Sequence, residues 1–288
     1  MSGTVFWSPT NSLTDTPAAE PAINPRWKVV KQRLRPLVRY VSAVLFVVLW
    51  QVACTTGLIS TRLVASPFQI ASTGWSLMRD GTLPANLGIS LLRAVSGLVL
   101  ALAAGITLAL VSGLSRMGED IVDAPIQILR TLPVLALAPL FILWFGIGET
   151  PKVLLIALGS MFPIYLNLHK GIRSIDPKLV EMARTLRLTR LQTIRDVILP
   201  GALPDLVVGI RFSVGISWLL LVVAEQVNAD SGIGHMMMDA QDFLRTDIIL
   251  VGLVIYGFFG LVSDQAVRFL ESRVIAWRPA RQNQGGAA

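Results

Sequence analysis

Histidine and cysteine are almost missing from this chain: two and one among 288 residues. A metal or nucleophilic centre needs several ligands, or a nucleophile and its base, to converge. His169 and His235 are expected on opposite faces of a membrane, which excludes a shared metal or a catalytic pair within one chain. Cys54 lies inside an apolar block, so no intrachain disulfide can form, and it reads as a small buried hydrophobe. Charge is scarce too, at 15% against about 25% in soluble domains. No G-x-x-x-x-G-K-[ST] loop occurs, so the chain has no phosphate cradle of that kind. No apolar run precedes the first long apolar block, and no cleavable leader is expected.

What is abundant is apolar sequence, 53% of residues, with a mean hydropathy of +0.64. It falls in blocks, and about 20 apolar residues suffice to cross a hydrocarbon core as a helix. Six spans are expected: 37–57, 87–113, 124–145, 152–169, 204–227 and 247–267. The fold class is therefore all-α, a polytopic membrane bundle. The third span holds Pro133 and Pro139, which remove helix hydrogen bonds and predict a kink or break. Residues 1–36, rich in proline, read as a disordered cytoplasmic tail. Residues 37–270 form the membrane domain, and 271–288 a second cytoplasmic tail.

The net charge of +7 and pI near 10.2 would suggest nucleic acid in a soluble protein. Here the positive charge sits between spans, where it speaks of topology and anionic lipid headgroups, not nucleic acid. Seventeen lysines and arginines fall on one side, including Arg26, Lys28, Lys31, Arg33 and Arg35 of the tail. Four (Arg62, Arg79, Lys152 and Arg245) fall on the other. Positive-inside asymmetry of that size puts both termini in the cytoplasm. Ser66 to Asp80 reads as a short amphipathic helix at the outer interface or as an ordered outer loop.

Small residues recur every fourth position in the second span: Gly97, Ala101, Gly105, Ala109 and Gly113. In lipid such a stripe lets backbones approach closely. Gly209, Ser213 and Ser217 repeat it in the fifth span, and Gly252, Tyr256 and Gly260 in the sixth.

The loop 171–204 is polar yet patterned. Asp176 followed by Pro177 is a helix start. Leu179, Met182, Ala183 and Leu186 then mark one apolar stripe. Thr189 with Gln192 is a capping box opening a second helix, which Pro200 is expected to end. Two short helices with a bend at Arg187–Leu188 would suit a lever docked in a partner's groove, or a surface lying on headgroups.

Glu181, Met182 and Ala183, with Arg187, Val197, Leu199, Pro200 and Gly201 at their separations, resemble the EAA loop of ABC importer permeases. That pattern is Glu-Ala-Ala, three residues, Gly, nine residues, Ile, one residue, Leu-Pro. Met182 departs mildly from it. Arg187 stands where the family has glycine, so a left-handed backbone there would cost on the order of 1–2 kcal/mol. The segments ILWFGIGE, FPIYLNLHKGIRSIDPKLVEMAR and VVAEQVNADSGIGHMM are similar to the nitrate/taurine/sulfonate branch of that family, most of all to its aliphatic sulfonate permeases. The resemblance implies a type I importer permease fold and a bacterial inner-membrane location. It also implies a second copy of this chain, two cytoplasmic ATPase subunits and a periplasmic substrate-binding protein. ATP would be held by the partner, and no cofactor by this chain. Aliphatic sulfonates are the expected cargo, with taurine, nitrate or a heterocyclic precursor as alternatives.

Ionisable residues inside spans are functional candidates by default. Arg39, Arg93 and Arg130 lie within two turns of span ends, where they snorkel or pair with a neighbouring helix. Arg211 is deeper and is expected near an anion's path. Glu225 closes the fifth span before Ser231 and Gly232, a turn suited to a gate; otherwise it partners an arginine. Met236, Met237 and Met238 read as packing. An ion-driven carrier is the competing class. It would show an internal repeat and acidic residues at mid-depth, and the sequence has neither.

Overall fold

The computed structural model describes residues 41–42, 44–61 and 63–274. The readings on the two tails, Arg39 and Arg62 lie outside these residues, apart from 271–274. The chain divides into a unit of residues 1–52 and a unit of residues 53–288. In the first, residues 44–52 belong to an apolar helix, α1 (Val44–Thr55), whose large side chains are mostly exposed.

All regular structure among the described residues is helical. In the second unit, α2 (Pro67–Arg79) opens with a full capping box from Ser66 and Gln69, so the segment between the first two spans is a helix and not a loop. Among the described residues, four helices are long and apolar enough to cross a membrane. They are α3 (Thr82–Leu114), α6 (Glu149–Arg173), the continuous stretch 190–227 that takes in all but the last residue of α9 (Leu199–Asn228), and α11 (Thr246–Val274). Their many exposed leucines, valines and phenylalanines would be anomalous in water. In lipid they are the face that meets acyl chains.

The third expected span is a broken pair. Helix α4 (Arg116–Thr131) and the segment 134–145, a 3-10 turn followed by α5 (Ala138–Phe145), meet at 90°. Pro133 sits at the break, in extended conformation, where its missing N–H removes a helix bond.

The small-residue stripe of α3 is its seam with α6. A Cβ at Gly97 would fall 2.5 Å from Ile156, at Gly105 3.0 Å from Ile164, and at Gly113 2.9 Å from Ile172. The constant sequence offset means the two helices run parallel, in register every eight residues. Helix α9 packs antiparallel on the other side of α6. Gly209 faces the Pro163 carbonyl, and Ser213 donates to Ser160 O at 2.5 Å. Close backbone approach here replaces the hydrophobic drive that lipid cannot supply.

One expectation is corrected. Pro200 does not end the second loop helix. Helix α7 (Pro177–Thr185) is followed by α8 (Arg190–Thr193), which runs through a π-helical segment, Ile194–Ile198, into α9. The Leu199 N–H reaches back five residues to Ile194 O. This wider turn inserts one extra residue just before the proline, relieving the clash that would otherwise break the helix.

Candidate functional site: a hairpin and a buried polar knot at the two ends of α9

Helix α9 is 30 residues long, about 45 Å at the helical rise. Its two ends carry different constructions.

At the N-terminal end stands the α7–α8 hairpin. Asp176 caps α7 by accepting from Lys178 N at 2.9 Å, with Pro177 in the first turn. At the other end of α7, Leu188 N donates to Ala183 O at 3.0 Å and Arg187 N to Arg184 O at 2.9 Å. This six-to-one, five-to-two pair is a Schellman closure, which needs a left-handed residue at the position Arg187 fills. Arg187 adopts φ +55°. The strain expected of a non-glycine residue is therefore present. Thr189 and Gln192 then form the expected capping box of α8, with Thr189 N donating to Gln192 Oε1 at 2.8 Å.

Of the predicted apolar stripe, Ala183 is buried, while Leu179, Met182 and Leu186 are 44%, 54% and 65% exposed. Glu181 is exposed beside them, and Val197, Leu199 and Pro200 are half-buried at the root of the hairpin. Gly201 lets Ile175 approach: a Cβ there would collide with its Cδ1. Leu179, Met182 and Leu186 are thus presented, exposed, on a capped and rooted hairpin, with Ala183 turned inward.

At the far end of α9 the chain turns through Ser231 and Gly232 into α10 (Ile233–Asp242). Glu225 is buried there, 1% exposed, and its carboxylate accepts from four groups. These are Ser90 Oγ at 2.7 Å, Arg93 Nη1 at 2.8 Å, Gly234 N at 2.8 Å and Tyr256 OH at 3.0 Å. Arg93, 2% exposed, also donates to Glu149 through Nε at 2.5 Å and Nη2 at 2.7 Å, and to Ser231 O at 2.6 Å. Lys152 joins through Glu149 at 3.0 Å. The turn's backbone is held as well: Gly232 N donates to Asn86 Oδ1 at 2.7 Å and Ile233 N to Ser90 Oγ at 2.9 Å.

Five helices therefore meet in one knot: α3, α6, α9, α10 and α11. Gly232, at φ +111°, is required there, since a Cβ would collide with Glu225 Oε1. A charge so buried is tolerable only when paired and hydrogen-bonded.

Of the residues that the sequence marks out, Arg93 proves to be a helix–helix partner and Glu225 its counter-ion. Ser231 and Gly232 belong to the same knot. Arg211 does not: it pairs with Asp264 of α11 at 2.9 Å, both partly exposed, and Arg268 shares that carboxylate. Ser90, Asn86 and Glu149 carry no such mark, and Tyr256 stands out only as part of a stripe. The sequence signal for the knot is the pair of opposite charges, Arg93 and Glu225, each too costly to stand alone in a span. Met237 packs against Gly252.

The sequence model of the binding-protein-dependent transport system inner membrane component family matches residues 97–276. The chain is 45% identical over 234 residues to the putative aliphatic sulfonates transport permease protein SsuC of Escherichia coli K12, covering 81% of this chain and 89% of that protein. It is 36% identical to the taurine transport system permease protein TauC of the same organism, over 82% and 87% of the two chains. In fold it is similar to a crystal structure of an amino acid ABC transporter, with a TM-score of 0.56 at 20% identity, covering 65% of this chain and 92% of that one. The chain is a multi-pass membrane protein that belongs to the binding-protein-dependent transport system inner membrane component family, the permeases of ABC importers.

Proposed function

We propose that this chain forms half of the membrane path of an importer for aliphatic sulfonates, driven by ATP hydrolysed on a separate subunit. The observation that carries the reading is the uncovered stripe Leu179, Met182 and Leu186 on a hairpin rooted in α9. A rigid lever of this kind transmits force only if a partner grips it, and apolar anchors with charged flanks suit a helix-in-groove contact. The partner is a cytoplasmic ATPase, one for each of two copies of this chain. Those subunits hold the ATP, and this chain binds no cofactor.

A periplasmic binding protein delivers cargo at the opposite end, near the knot. The complex sits in a bacterial inner membrane with both termini in the cytoplasm, as the lysine and arginine asymmetry implies. Sulfonate as cargo is supported by the name of the 45% identical relative. Taurine, itself a sulfonate, fits the same chemistry. Of the residues expected along the path, Glu225, Ser231 and Gly232 hold the turn through which the outer end would open, and Arg211 braces α9 against α11.

The test is co-purification of the full chain with its ATPase, followed by addition of binding protein loaded with an alkanesulfonate. Turnover should rise with loaded protein and stay low with empty protein. Transport by this chain alone, responding to an ion gradient, would replace the reading with a secondary carrier.

A further inference from the structure

A cleft of about 440 Å³ lies at the break between α4 and α5, within the range of about 300–1,000 Å³ typical of small-molecule sites. Its apolar wall includes Phe162 and Leu166 of α6 and Phe212 and Ile216 of α9. Two polar groups face it, Arg130 from the last turn of α4 and Asn167 from α6. Residues 162–167 stand near the middle of α6, and residues 212–216 near the middle of α9. The cleft is therefore at mid-depth in the bundle.

Arg130 is exposed to this space, and among the described residues it has no ion pair or hydrogen-bond partner. Several other cations of the long helices are matched: Arg93 and Lys152 by Glu149, Arg173 by Glu119, and Arg211 and Arg268 by Asp264. No carboxylate of the described residues lines the cleft. A guanidinium at this depth without a counter-ion is costly and draws an anion. Asn167 spends one amide hydrogen on Pro163 O at 2.8 Å, and the other is available to a ligand oxygen.

We propose that this cleft is a station on the transport path that binds an alkanesulfonate, with Arg130 holding the headgroup and the α6 and α9 wall holding the alkyl chain. A planar guanidinium fork matches two oxygens of a sulfonate. The two aromatic rings and two branched side chains offer the tail an apolar surface. The same fork would also accept the phosphate of an anionic lipid, so the test separates the two sources. The proposal rests on the importer reading and gives it a residue that meets the cargo.

The experiment uses the complete complex of permease, ATPase and binding protein loaded with hexanesulfonate, in vesicles with and without phosphatidylglycerol. Arg130→Gln should lower the maximal uptake rate about tenfold, the weight of one or two charge-assisted hydrogen bonds. KM, set by the binding protein, should not move, and stimulation of ATPase by loaded protein should persist. Arg130→Lys should recover part of the rate. Ile216→Phe should slow hexanesulfonate more than methanesulfonate. Uptake by Arg130→Gln equal to that of the unaltered chain, with ATPase stimulation intact, overturns the site and leaves the importer reading standing. A rate that depends on phosphatidylglycerol in the unaltered complex and loses that dependence in Arg130→Gln overturns it in favour of a lipid site. Absence of any ATPase response to loaded binding protein removes the importer reading and this site with it.

Discussion

The two ends of α9 are built on opposite principles. At the knot, the carboxylate, the guanidinium and the turn's amides of residues 232–234 find partners inside the protein, and the charges are buried. At the hairpin, the backbone is closed by its own caps, while the apolar anchors stay uncovered. One end is satisfied by its own chain, and the other leaves its apolar side chains open, as the proposed docking of a partner requires. Joining them is a single helix, so a displacement of the hairpin has a stiff route to the turn that holds α10.

The comparison is broken most severely at the knot. Glu225→Ala leaves Arg93 buried with half its counter-charge and frees the amide of Gly234. Removing one partner of a buried pair costs about 3–5 kcal/mol, so little folded permease should be extractable from membranes, as size-exclusion profiles of a fluorescent fusion would report. Glu225→Gln, which keeps hydrogen-bond acceptance at one oxygen, should fall in between.

At the hairpin the same assay should show nothing. Met182→Arg places a charge on an exposed position, where substitutions usually change stability by about 0.5 kcal/mol or less. Folded yield should hold, while ATPase stimulation in the assembled complex falls about tenfold or more, since a charge is forced into an apolar groove. Loss of both in parallel would erase the contrast between the two ends.

A smaller effect sharpens the account. Arg187→Gly supplies the residue that a Schellman closure favours and relieves about 1 kcal/mol of backbone strain. Thermal inactivation of the complex should move slightly upward with coupling unchanged. If coupling drops, Arg187 has a contact with the partner that the free chain does not display. Smallest of all, Arg211→Gln opens a partly exposed ion pair worth about 1 kcal/mol or less. Assembly should be intact and uptake modestly slowed, as measured in vesicles.

Much of this is legible in the residues themselves. The small-residue stripe of α3 announces a close helix contact, and its period of four places the glycines on one face, although only the structure names Ile156, Ile164 and Ile172 as what they meet. Both hairpin caps are readable because capping is local chemistry. Two features are not. Pro200 carries a strong stop signal, and the residues before it carry no local sign of the π-turn that defeats it. Arg93 and Arg130 look alike by distance from span ends. One is buried against two carboxylates brought from distant parts of the sequence, and the other faces a cleft beside the break between α4 and α5, walled by α6 and α9.

The most direct test of the central claim places a photo-crosslinking amino acid at position 182 of the full chain in native membranes. An adduct with the nucleotide-hydrolysing subunit is expected, its yield changing when loaded binding protein is added. Adducts confined to lipid, or labelling of position 182 by a reagent restricted to the outer face, would contradict it.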